Sequence, residues 1–265
     1  MRFVLIRNSK YVFSVKTPTS IRGIHSVSEQ QILFAKDDFL RDKKIISISP
    51  GGYKGIYMLG VCMFIKDNFN LDNYVYSGAS AGAWNALTMC YKNDPKELKH
   101  SVLEYGLTHG KTLLGIQEIM KSRFLSTTKT EDFDLRRLFI GVTTINRLLP
   151  KTSIYYGFTN LEDALDCCIA SSHIPFVTGG LTNKYRNEYT FDGGFSNYPY
   201  LNNMKPVIHI SPSIWKEKPG HQGLSVFDIT QYTTLFSRDK MDFDNLYESG
   251  YQDSQKNYDY LKYFL

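Results

Sequence analysis

The stretch NYVYSGASAGAWNALTMCY, residues 73–91, decides the fold. It opens on a run of aromatic and β-branched residues at 73–76, a strand signal, and from Ser80 onward becomes a segment rich in small residues that reads as a helix to Tyr91. Between the two lies Gly78-Ala79-Ser80-Ala81-Gly82, a GxSxG sequence. With Gly and Ser each near 7% of residues, the bare pattern arises by chance in about one chain of this length in ten, so its meaning rests on the strand before it and the helix behind it. In that context it reads as a nucleophile elbow, a sharp turn that holds a serine hydroxyl outward. Such a turn needs the glycines, and it needs little bulk at Ala79 and Ala81. A helix starting at Ser80 also aims its positive end at the centre where an oxyanion develops during acyl transfer.

Upstream, IISIS at 45–49 is a second strand signal, closed by Pro50-Gly51-Gly52 and followed by a helical pattern over 55–66. Two successive strand–turn–helix units predict parallel strands with crossover helices. The expected fold class is therefore α/β, a layered fold with a central, mostly parallel sheet flanked by helices and ligands at the carboxyl ends of its strands. Gly51-Gly52-Tyr53-Lys54-Gly55 occupies one such end, where unblocked amide protons can converge on a phosphate or on a tetrahedral intermediate. The phosphate-loop patterns GxxxxGK[ST] and GxGxxG are both missing, and taken alone the segment reads equally well as a structural turn.

Downstream, residues 94–150 carry helical periodicities at 95–107, 113–120 and 133–139, broken by Gly110, Gly141 and Pro150, and are expected to form an inserted helical layer. A strand is expected near 153–158. Asn160 caps a helix over 161–171, with Glu162 and Asp163 in its first turn. Further strands fall at 189–191 and 207–211, and a tyrosine-rich helix closes the chain over 242–264. Asp192-Gly193-Gly194 follows the strand at 189–191; by itself it is an ordinary turn, but a carboxylate at a strand end followed by two thin residues is also suited to sit beside a nucleophile. Residues 1–43 are expected to be an added extension, a hairpin packed on a single domain at 44–265.

Composition narrows the function classes. A chain of 265 residues supports one sizeable core, and the most apolar stretch, residues 56–65, is well short of the roughly 20 residues that cross a bilayer. Arg7 and Lys10 interrupt the amino terminus, so no signal peptide is expected, and the four cysteines, Cys62, Cys90, Cys167 and Cys168, sit in apolar helical patterns that suit reduced, buried thiols. Both features lead to a cytoplasmic expectation. The net charge of +5 comes from scattered Lys and Arg, which is a solvated surface rather than a nucleic-acid footprint. No metal-ligand spacing is apparent.

The glycine loop at 51–55, the GxSxG at 78–82 and Asp192-Gly193-Gly194, in that order and each at a strand end, resemble the hallmark set of the patatin-like phospholipases. The resemblance runs over about 45–210. It includes the segment Ala170-Ser171-Ser172-His173-Ile174-Pro175-Phe176, and it is closer in feel to the adipose triglyceride lipase branch than to plant storage patatins. What it implies is a layered patatin-like fold and a lipid acyl hydrolase of serine-esterase type, with Ser80 as nucleophile and Asp192 as its base. The implied enzyme has no histidine in its dyad, no cofactor and no metal, and it acts on substrate presented at a membrane or lipid-droplet surface. The chain departs at Pro50, where the family's oxyanion loop begins with Gly. Proline has no amide proton, so the oxyanion role is carried only to Gly51, Gly52, Tyr53, Lys54 and Gly55. Lys54 reads either as a contact for a phosphate headgroup or as a surface residue at a helix start. Since a free carboxylic acid titrates near pH 4, Asp192 needs desolvation or a close hydrogen bond to act as a base. The competing expectations are a Ser-Asp-His triad completed by His209 or His221, a lipid-binding protein without catalysis, and an acyltransferase.

Overall fold

The computed structural model describes residues 23–24, 26–146, 149–196, 198–201, 207–216 and 242–265. The first 22 residues of the expected N-terminal hairpin, and His25 and His221, lie outside them. The rest of that extension is strand β1 (Gly23–Ile24) and helix α1 (Val27–Lys36), whose start is fixed by a reciprocal cap between Ser26 and Glu29.

Strand β2 (Lys44–Ile48), helix α2 (Gly55–Asn68), strand β3 (Tyr74–Ala79) and helix α3 (Ala81–Met89) form the two strand–turn–helix units anticipated from the sequence. A helical layer follows: α4 (Pro95–Leu98), a π-helical stretch Lys99–Glu104, α5 (Tyr105–His109) and α6 (Leu113–Thr127). Then come β4 (Leu138–Asn146), β5 (Leu149–Tyr155), α7 (Leu161–Ser171), β6 (Asn183–Tyr185), β7 (Glu188–Phe191), β8 (Ile208–Ile210), α8 (Phe243–Lys256) and α9 (Tyr258–Phe264).

Among the described residues the sheet has eight strands, in the order β1-β5-β4-β3-β2-β8, with β7 also on β4 and β6 on β7. Its parallel part is the central block β8, β2, β3 and β4; β1, β5, β6 and β7 join antiparallel, so the sheet as a whole is mixed. The parallel block is buried on both faces, which explains why Ile45, Ile46 and Ile48 run without polar alternation. Helix α2 buries Met58, Leu59 and Val61 through Ile65 on one side of it.

Register brings the functional ends together. Ile48 pairs with Gly78, and Ala79 pairs with Gly141, so the turn after β2, the turn after β3 and the middle of β4 share one edge. Strand β7 runs back along β4 with Phe191 opposite Thr143, which delivers Asp192 to the same place from the opposite direction.

The expected helix at 133–139 is not formed. A short 3-10 turn, Leu135–Arg137, leads into the long strand β4 instead. Leu138, Phe139 and Ile140 are all fully buried, and a strand covered on both faces loses the period-2 signal that identifies it. The expected closing helix is two, α8 and α9, meeting at Asn257. Helices α2 and α8 cross at a glycine contact: a methyl on Gly60 would lie 2.1 Å from the Tyr247 carbonyl oxygen, and one on Gly250 2.0 Å from that of Tyr57. Among the described residues no helix is long and apolar enough to cross a membrane.

Candidate active site

Ser80 stands between β3 and α3 with φ 53° and ψ −126°, a conformation that costs a non-glycine residue about 1–3 kcal/mol. Its neighbours hold it there. A methyl on Gly78 would sit 2.0 Å from the Gly82 carbonyl oxygen, and one on Gly82 would sit 2.2 Å from that of Ile48, so both glycines of the motif are demanded by backbone-to-backbone contact. The two alanines are matched to glycines elsewhere: Ala81 faces Gly55 and Ala79 faces Gly193, and a methyl on either glycine would come within 2.8 Å of the alanine's own. The three motifs therefore fit together through paired small residues.

Hydrogen bonds complete the elbow. The Ser80 N–H donates to Ser171 Oγ at 2.8 Å, and Ser171 Oγ donates in turn to the Gly141 carbonyl at 2.6 Å. Ser171, at the end of α7, is thus a buried clamp between the elbow and β4. The Ala83 N–H closes on the Ser80 carbonyl at 2.9 Å.

Asp192 is fully buried, and Ser80 Oγ donates to its Oδ2 at 2.5 Å. Its Oδ1 accepts the Gly194 N–H at 2.7 Å, so each carboxylate oxygen holds a donor. Its backbone is fixed at both ends: its N–H donates to the His173 carbonyl at 2.7 Å, and its carbonyl accepts from Thr143 Oγ1 at 2.8 Å. Gly193 is required, because a methyl there would lie 2.4 Å from the Gly141 carbonyl oxygen.

The loop after β2 turns through Gly52, whose φ of 51° suits glycine, into a short 3-10 helix, Gly52–Lys54. Within it the Lys54 N–H donates to the Gly51 carbonyl, and the Gly55 N–H to the carbonyls of Gly52 and Tyr53. These two amides are spent inside the turn, which removes Lys54 and Gly55 from the expected set of oxyanion donors. Asn85 Nδ2 donates to the Gly55 carbonyl at 2.9 Å and ties the loop to α3. Lys54 does not line the cavity described next.

Gly52, Tyr53, Ser80 and Ala81 line a cavity of about 110 Å³. Its remaining wall is mainly apolar, with Trp84, Leu103, Leu107, Ile116 and Met120 among its residues. Much of that wall comes from the helical layer at 95–127, including its π-helical turn, a feature often found beside functional sites.

Among the described residues, no histidine ring is hydrogen-bonded to Ser80 or Asp192. His209, on β8, bonds Ser47 Oγ through Nδ1 at 2.8 Å and packs against Tyr200; burial pulls its pKa down to about 4 and keeps the ring neutral. His173 contributes its carbonyl to Asp192, and burial lowers its pKa as well. All four cysteines are buried free thiols, with pKa values pushed up by burial.

Sequence reasoning missed Ser171, Thr143 and Asn85. Ser171 and Asn85 occur within helical patterns as ordinary polar residues, and only the tertiary fold reveals what they hold.

A family model described as patatin-like phospholipase matches residues 46–202, more than half of the chain. No curated protein matches it. Among solved structures, VipD from Legionella pneumophila is similar over 69% of this chain and 48% of its own, with 15% identity and a TM-score of 0.38. The chain spans about half the length of that protein.

Proposed function

Because this chain belongs to the patatin-like phospholipase family, a family of lipid acyl hydrolases, we propose that it cleaves carboxylic esters of lipids through a Ser80–Asp192 dyad and an acyl-enzyme. The observation that carries the reading is the 2.5 Å hydrogen bond from Ser80 Oγ to Asp192 Oδ2 at a strained, glycine-locked turn beside an apolar cavity. A strained nucleophile whose hydroxyl proton already points at a buried carboxylate is preorganised for transfer.

In the proposed sequence Asp192 Oδ2 takes the Ser80 proton as Oγ attacks the ester carbonyl carbon. The resulting oxyanion accepts from the amide of Gly52, which lines the cavity where Gly51 does not, and from that of Ala81, which as the first residue of α3 has no partner within its helix. Collapse expels the alcohol, which leaves with the proton held by Asp192. Water then attacks the acyl-enzyme, giving one proton to Asp192 and releasing the fatty acid, and the proton returns to Ser80. The apolar cavity suits the acyl chain and excludes water from the dyad.

Under the same reading residues 44–265 are one hydrolase domain and 1–43 are added to it, in keeping with β1 pairing on the outer edge of β5. The enzyme works at the surface of intracellular lipid. A histidine triad has no support from His209, whose ring is committed to Ser47.

The test is fluorophosphonate labelling and ester turnover in wild type, Ser80→Ala, Asp192→Asn and His209→Gln. Ser80→Ala should abolish both signals, Asp192→Asn should cost several orders of magnitude in turnover, and His209→Gln should leave turnover per folded molecule within a few-fold. Full turnover in folded Asp192→Asn would sink the dyad.

A further inference from the structure

Residues 174–181, between α7 and β6, combine two features that rarely meet. Phe176 is 78% exposed and Leu181 59% exposed, whereas Ile174 and Thr178 of the same loop turn inward and line the cavity beside Ser80. From this we infer that the loop is a lipid-surface anchor, in which Phe176 and Leu181 enter a bilayer and seat the mouth of the cavity upon it. The inference rests on the lipid-hydrolase reading above and extends it to how the substrate is met.

The loop is built, not slack. Thr178 Oγ1 accepts the Ile174 N–H at 2.8 Å, the Thr178 and Val177 amides return to the Ile174 carbonyl at 3.0 and 3.1 Å, and the Phe176 N–H closes on the Gly180 carbonyl at 3.3 Å. Phe176 itself is held at φ 62°, in the left-handed region where a bulky side chain is strained and glycine or asparagine is at ease. A rigid loop thus spends backbone strain to hold an apolar ring in the surrounding medium. Water gives no return for that arrangement, and hydrocarbon does.

Continuity with the site favours a lipid surface as the occupant. The loop begins at His173, whose carbonyl fixes the Asp192 backbone, so the depth of insertion sets where the dyad stands relative to the surface. Ile174, two residues before Phe176 in the same loop, is itself part of the cavity wall, so an anchored loop places that wall beside the bilayer. A protein partner fits less well: two projecting side chains fall far short of the roughly 1,000 Å² that a specific protein interface covers, but apolar side chains of this number and size are enough for peripheral insertion.

The experiment uses the full chain. Flotation with phosphatidylcholine vesicles is measured in the Ser80→Ala background, so that no lipid is consumed, with and without Phe176→Asn plus Leu181→Asn. Asparagine tolerates the backbone at 176, and unchanged thermal unfolding verifies the fold. The paired variant should lower vesicle binding at least tenfold, and binding of the parent should persist at 0.5 M salt because the contact is apolar. With Ser80 restored, the pair should reduce turnover of vesicle lipid in parallel while leaving turnover of a water-soluble short-chain ester within twofold. Unchanged flotation, binding abolished by salt, or equal loss on the soluble ester each overturns the anchor. So does light scattering that finds a dimer dissolved by the same pair. Failure of the hydrolase reading looks different: wild type would then turn over neither ester, and flotation of the Ser80→Ala protein would still report on the loop.

Discussion

Ser171→Ala isolates the clamp that no motif predicts. The side chain is fully buried, and its single hydroxyl accepts from the Ser80 N–H at 2.8 Å while donating to the Gly141 carbonyl at 2.6 Å. Removing it strands a buried donor and a buried acceptor at once. Each costs about 1–3 kcal/mol, so the expected loss is about 2–6 kcal/mol, a large part of the 5–15 kcal/mol that stabilises a typical domain. At about 2–4 °C per kcal/mol for a chain near this size, the melting temperature should fall by roughly 4–24 °C.

The loss should not be confined to stability. The Ser80 N–H is one of the ties that keep φ at 53°, and with it gone the elbow can relax toward an unstrained conformation and carry Oγ away from Asp192. A misplacement of about 1 Å costs on the order of a hundredfold in rate, so fluorophosphonate labelling of folded Ser171→Ala should slow by about that factor. Ser254→Ala is the control: it removes an equally buried hydroxyl whose bond, to the Gly250 carbonyl at 2.7 Å, lies within α8 and far in sequence from Ser80. It should melt slightly lower and label at the wild-type rate. If Ser171→Ala matched wild type in both melting and labelling, the clamp would have no energetic role and the strain at Ser80 would have to be held by the glycine contacts alone.

Other outcomes follow from the same geometry. Gly82→Ala places a methyl 2.2 and 2.6 Å from the carbonyl oxygens of Ile48 and Ser49, where only backbone can yield, and should leave little folded protein in a urea titration, while Gly180→Ala, which meets nothing within 4 Å, should be tolerated. His209 titrates near 6.5 when unfolded and near 4 when folded, so the unfolded chain binds the proton first; stability is complete above pH 6.5 and should decline by about 3 kcal/mol as pH falls from 6.5 toward 4, and urea midpoints that stay level across that window would contradict it. His173, lowered by burial too, adds in the same direction. The four buried thiols should resist aromatic disulfide reagents in native protein and react only on unfolding; fast modification of native Cys167 or Cys168 would show that the core beneath α7 opens.

What was legible in the sequence was whatever required glycine. Gly78, Gly82 and Gly193 stand where one backbone touches another, and a residue without a side chain leaves a mark that needs no knowledge of the partner. The same rule misled at Gly141, which reads as a helix breaker. It is instead the point in β4 where the Pro199 carbonyl approaches so closely that a methyl would lie 1.8 Å from it. A glycine announces a close approach without saying whether a turn or a neighbouring strand causes it, and the helical spacing of Leu135, Leu138 and Phe139 tipped the reading the wrong way. The loop after β2 shows a further limit. Five residues mark the place, but which amides face the cavity depends on a 3-10 turn that consumes those of Lys54 and Gly55, and hydrogen-bond direction leaves no trace in composition.

The two alanines of the elbow carry the remaining argument. In the bare pattern they are free positions, yet Ala81 meets Gly55 from the first motif and Ala79 meets Gly193 from the third. A larger residue at either would push apart the two segments that converge on Ser80. The spacing of the three motifs in the chain is therefore loose, with about 25 residues between the first two and more than 100 between the last two, while their spacing in the fold is fixed to within a methyl group. Strand β7 makes this possible by running antiparallel to β4. Asp192 thus enters the site from the side opposite to Ser80, and its carboxylate can reach the serine hydroxyl without a third residue to bridge them.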